Sequence, residues 1–180
     1  MIFLIESFMY KVSNTFLFPV LLLIVGLFFY SLFEIGVFFM QAIKRKISYK
    51  NYIKYIKSEI RSNLSGYPII NYEIRRGFHG IEDLEVFAFK KLQVSSLVTK
   101  ISPMLGLVAT MIPMGPALKA LSNGNVQGIS ENLIIAFAAV IFALITSSLT
   151  YWVTTIRKGW YAQEIKDLLL LRGAKDETSK

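Results

Sequence analysis

The chain has 180 residues, of which 54% are hydrophobic, and a formal charge of +8 at pH 7. Its mean hydropathy is +0.50, and soluble single domains seldom combine such apolarity with such basicity. Cysteine is absent and His79 is the only histidine, so disulfide frameworks, thiolate nucleophiles and most metal or triad chemistry are excluded; no cofactor and no covalent chemistry are expected.

The elements follow from three long apolar runs separated by basic segments. Residues 1–14 lack a basic leader and a small-residue cleavage site, and read as an amphipathic helix at the outer membrane interface. Residues 15–43 form the first expected span, with Pro19 near its start and Glu34 inside it. Residues 44–96 are an expected cytoplasmic helical region. There Ile47, Tyr49, Tyr52, Ile53, Ile56 and Ile60 recur among lysines at helical spacing. Turns are expected at Ser65-Gly66-Tyr67-Pro68 and at Gly77-Phe78-His79-Gly80, where His79 is read as structural or incidental. From Ile81 the positions Leu84, Phe87, Ala88, Leu92 and Leu97 resume a helix that runs on into the second span, residues 97–121. That span carries Lys100, Pro103, Pro113 and Pro116, and the prolines predict kinks. An outer hairpin at 122–128, a third span at 129–156 and a cytoplasmic tail at 157–180 complete the chain. Tyr151, Trp152, Trp160 and Tyr161 form an aromatic set that anchors the inner boundary.

Orientation comes from the cations. Most lie between the first and second runs or after the third, from Lys44 to Lys91 and from Arg157 to Lys180; only Lys11 and Lys119 stand on the other side. The positive-inside rule then puts the N-terminus and the hairpin outside, and the long loop and the tail in the cytoplasm. The charge is thereby read as topology, and no nucleic-acid partner is expected because the basic residues build no soluble nucleic-acid module. The expected fold is an all-α membrane protein with three transmembrane helices and cytoplasmic helical extensions. Glu34 is the one carboxylate deep in the apolar runs, and Lys100 enters the second span at a comparable depth from the cytoplasmic side. An ion pair between them is expected, with proton carriage by Glu34 as the competing reading.

The run Ser102-Pro103-Met104-Leu105-Gly106-Leu107-Val108-Ala109-Thr110-Met111-Ile112 resembles the second-crossing motif Ala-Pro-Leu-Leu-Gly-Leu-Leu-Gly-Thr-Val of the MotA/TolQ/ExbB proton-channel family. Ile129-Ser130-Glu131-Asn132-Leu133-Ile134 is similar to that family's third-crossing start, and Tyr151 falls near its inner-end Tyr-Asn. At motif level the resemblance covers about residues 81–161. It implies a pentameric prokaryotic inner-membrane subunit whose second and third crossings wall a pore around two copies of an ExbD/TolR/MotB-like partner, each with one transmembrane helix and an essential Asp. It further implies that ion flow, of protons rather than sodium, rotates or energises that partner dimer. Thr110 would face the partner Asp, Glu131 would stand at the outer end, and Ala136 and Ala139 would lie on the pore wall. Pro103 would shape the inner mouth, and membrane lipid would surround the assembly.

The chain also departs from the family pattern. Ile135, Ala136 and Phe137 stand where many members have a second threonine, Pro113 replaces a glycine, and Trp152 replaces the Asn. Thr146, Ser147 and Ser148 are candidate substitute hydroxyls deeper in the third span. Two alternatives stay open: a non-conducting scaffold of the same fold that holds a single-span partner, and an unrelated three-span transporter with helices broken at Pro113 and Pro116.

Overall fold

A computed structural model describes residues 2–58, 64–77 and 80–178. Ile60 and His79 lie outside them. The described residues form four α-helices: α1 (Ile2–Ser58), α2 (Pro68–Arg76), α3 (Ile81–Ser122) and α4 (Val126–Thr178). Stretches long and apolar enough to cross a membrane occupy Thr15–Ile56, Ile81–Ser122 and Val126–Arg172, which marks the chain as a multi-pass membrane protein. A 42-residue helix is about 63 Å long, roughly twice the hydrocarbon thickness, so each helix has length to spare outside the bilayer.

Helix α1 runs without a break from Ile2, so the segment 1–14 is not a separate helix but the opening turns of the same one. Pro19 in α1 and Pro103, Pro113 and Pro116 in α3 all lie inside continuous helix. Without competing water, a freed carbonyl gains nothing by unwinding, and the helix outlasts its proline. Between α3 and α4 the chain turns on Gly124, whose φ of +71° suits a residue without a Cβ. The Asn123 and Asn125 amides donate to the Ala120 carbonyl, and the Asn125 side chain accepts the Gly128 amide at 3.0 Å, capping the start of α4.

The chain divides into two compact units, Met1–Phe33 with Leu97–Tyr151, and Glu34–Ser96 with Trp152–Lys180. The first unit is built on small residues. Val20 and Ile24 of α1 pack with Ala109 of α3 and with Ala139 and Ala143 of α4. At Gly106 helices α3 and α4 approach closely, since a Cβ there would stand 2.8 Å from the Ala143 Cβ. Phe28 meets Phe142 edge to face at 5.1 Å. The large apolar side chains Leu107, Met111 and Leu118 of α3 and Ile134, Phe137 and Ile141 of α4 point outward instead, an exposed surface suited to lipid or to neighbouring chains.

The second unit has an aromatic and aliphatic core drawn from all four helices, including Tyr52, Tyr55, Tyr67, Ile69, Ile70, Leu92, Tyr161 and Leu168. Short helix α2, absent from the sequence expectations as a distinct element, starts with Pro68 at its first turn and ends at Gly77, whose amide donates to Glu73 O at 2.9 Å. Its N-terminus is held by Glu164 of α4, which accepts the Ile69 amide at 3.0 Å and the Ile70 amide at 3.5 Å. Glu164 also pairs with Arg45. The Arg45 guanidinium lies over the rings of Tyr67 at 4.2 Å and Trp160 at 4.9 Å, and Tyr67 in turn stacks on Tyr52 at 4.4 Å. Burial pushes the Tyr67 hydroxyl above its ordinary pKa, with Arg45 pulling the other way and Glu164 reinforcing the rise. The far end of α2 is tied by Glu73, which accepts from Arg172 at 3.1 Å and from the Tyr55 hydroxyl at 2.7 Å.

Gly66 shows why the turn before α2 has its sequence. Its φ is +95°, and a Cβ would meet the Arg45 backbone nitrogen at 2.7 Å. Gly66→Ala is therefore expected to destabilise the fold by about 1–3 kcal/mol. Thermal unfolding in detergent, followed by circular dichroism, should show a lowered midpoint; an unchanged midpoint would mean the turn does not hold Arg45 this closely.

Candidate functional site

Thr110 is half-buried on α3 and its hydroxyl donates to Leu107 O at 2.8 Å, leaving its oxygen lone pairs able to accept. Glu131 is exposed one turn into α4 and accepts the Gln127 side-chain amide at 2.9 Å, near the helix end where a carboxylate is electrostatically favoured. Ala136 and Ala139, expected on a pore wall, are buried within the single chain. They are only 3% and 4% exposed, and Ala139 packs in the chain's own interior with Val20, Ala109 and Ala143. Their small size allows close helix approach within one chain. Pro113 is fully buried, while Pro103 and Pro116 are half-buried on α3.

The substitute hydroxyls have distinct surroundings. Within the first unit Ser147 donates to Thr99 O at 2.8 Å, and the Thr99 and Thr150 hydroxyls lie 3.1 Å apart. Ser148 only bonds back to Leu144 O in its own helix. Thr146 Oγ1 and Ser102 Oγ are buried with no hydrogen-bond partner among the described residues. In the second unit the Ser95 and Thr154 hydroxyls meet at 2.8 Å. Facing positions on α3 and α4 thus carry hydroxyls at roughly one-turn spacing.

Glu34 has a different partner from the one expected. It pairs with Arg157 of α4, not with Lys100, which is exposed on α3. The physical reason is burial within the chain. Lys100 faces out of it, whereas Arg157, 6% exposed, would be a buried cation without a counter-charge. Only the Arg157 Nη1 is used by Glu34; Nε and Nη2 are buried with no hydrogen-bond partner among the described residues.

Beside that pair lies a cavity of about 690 Å³, entirely within the second unit. Among the described residues five cations line it, Lys44 of α1, Arg75 and Arg76 of α2, Lys91 of α3 and Arg157 of α4, and no Asp or Glu does. Reading the basic residues as a topology signal did not find this cluster. The available clue was the pair Arg75-Arg76 between a Gly-Tyr-Pro turn and a glycine, which is the signature of a short helix ending in two cations.

Compared with protein-family models, curated proteins and solved structures, the chain matches none.

The buried pair yields a test. Glu34→Gln leaves Arg157 buried without its counter-charge and should cost about 3–5 kcal/mol, whereas Lys100→Gln should change stability by less than about 0.5 kcal/mol. Denaturant unfolding of both variants checks this, and equal losses would restore Lys100 as a partner.

Proposed function

We propose that this chain is the membrane subunit of an ion-driven, stator-like energiser, assembling as a pentamer around a single-span partner dimer and passing protons. The observation that carries the reading is the motif at 102–112, in order with the element at 129–134, on two adjacent helices of membrane-spanning length. The motif's glycine is under the constraint the reading asks of it. Gly106 lies against Ala143, so a larger residue would force α3 and α4 apart.

The chemistry proposed for Thr110 follows from its hydrogen bond. With its proton committed to Leu107 O, the hydroxyl can accept from a protonated carboxyl but has no donor for an ionised one. A partner Asp next to it in an apolar wall is then costly to ionise, and its proton is released only when rotation carries it to a wetter position. That coupling of protonation to position is what lets a proton gradient do mechanical work. Glu34 is already engaged with Arg157 and is assigned to structure, not to proton carriage.

A second reading, a non-conducting scaffold of the same fold, draws on one observation. At the level of Ala136 and Ala139 α4 offers no hydroxyl, and those positions are sealed inside the chain. The two readings separate in vesicles holding the chain with a co-expressed single-span partner. Under an imposed pH gradient the motor reading predicts proton flux that Thr110→Ala reduces about tenfold or more, equivalent to ~1.4 kcal/mol or more on the barrier. Absence of flux under both pH and sodium gradients, with no effect of Thr110→Ala, would select the scaffold.

A further inference from the structure

From the cavity of the second unit we infer a binding site for the phosphate of an anionic phospholipid headgroup. Four of its cations, Lys44, Arg75, Arg76 and Lys91, have no salt-bridge partner among the described residues, where three acids are committed to other cations. Glu34 is on Arg157, Glu164 on Arg45 and Glu73 on Arg172. The fifth cation supplies the specificity. With Nη1 on Glu34, Arg157 keeps its Nε and Nη2 donors, the two that share one edge of the planar guanidinium. Two parallel N–H bonds from that edge match two oxygens of a phosphate.

The rest of the lining favours a lipid over a free phosphoryl anion. Val37, Met40 and Phe87 give the cavity an apolar side, and Lys44 and Arg157 follow directly on the first and third apolar runs. By sequence position the cavity therefore opens where the hydrocarbon ends and the basic flank begins. Basic pockets at that level on the cytoplasmic side suit acidic lipid headgroups, with acyl carbon lying along the apolar wall. The volume of about 690 Å³ is in the range of sites for molecules of headgroup size. The inference is independent of ion conduction, since a chain that passes no ions would hold the same lipid.

The test uses the full chain in detergent, titrated with phosphatidylglycerol, phosphatidylcholine or inorganic phosphate and followed by native mass spectrometry. Two variants accompany it: Arg75→Gln with Lys91→Gln, both exposed positions, and Arg157→Lys, which keeps a charge for Glu34 but removes the free guanidinium edge. Circular dichroism verifies that each variant remains helical. Phosphatidylglycerol should bind at least about tenfold more tightly than phosphatidylcholine, and each variant should weaken it about tenfold or more. Equal binding of phosphatidylglycerol by the parent and both variants would overturn the site. Displacement of phosphatidylglycerol by millimolar inorganic phosphate would overturn the lipid assignment in favour of a free phosphoryl anion.

Discussion

A carboxylate with no exposure to solvent, Glu164, holds the second unit together. It accepts from the Arg45 guanidinium and from the first amides of α2, so it joins α1, α4 and the start of a helix only nine residues long. A helix that short is unstable alone and persists only where tertiary contacts hold it. Arg45 is itself fixed between Tyr67 and Trp160. Removing Glu164 would leave the part-buried Arg45 guanidinium without its counter-charge and two amides of α2 without an acceptor, a loss of about 3 kcal/mol by analogy with other broken pairs. The position of α2, and with it the placing of Arg75 and Arg76 along the cavity, depends on this contact.

The two units divide the work. The first consists of small residues and hydroxyls between α3 and α4, with large apolar side chains turned outward, and it carries the motif from which ion conduction is proposed. The second concentrates the cations, the ion pairs and the aromatic stacking, and it carries the cavity.

Much of this was legible from sequence, and the parts that were not have a common cause. Apolar run length gave the three spanning helices, and Ser65-Gly66-Tyr67-Pro68 and Ser122-Asn123-Gly124-Asn125 gave turns where the structure has them. Depth along a helix also gave Glu34 as a charge in need of a partner. It did not identify the partner, because Arg157 is more than a hundred residues away and periodicity says which face a residue is on, not what faces it. The same ambiguity attends Ala136 and Ala139: a small residue suits a pore wall and a tight helix contact equally well. Helix α2 stayed hidden because nine residues are too few for a periodic signal and its stabilisation comes from Glu164, far along the chain.

The topology proposed from the positive-inside rule puts the basic segments 44–96 and 157–180 on the cytoplasmic face and residues 122–128 outside. The chain has no cysteine, so single-cysteine labelling tests this directly. Asn123→Cys in the turn and Lys54→Cys in the second unit both replace exposed side chains. In intact cells a membrane-impermeant maleimide should label Asn123→Cys, and should reach Lys54→Cys only after permeabilisation. Labelling of both from outside, or of Lys54→Cys alone, would contradict the account.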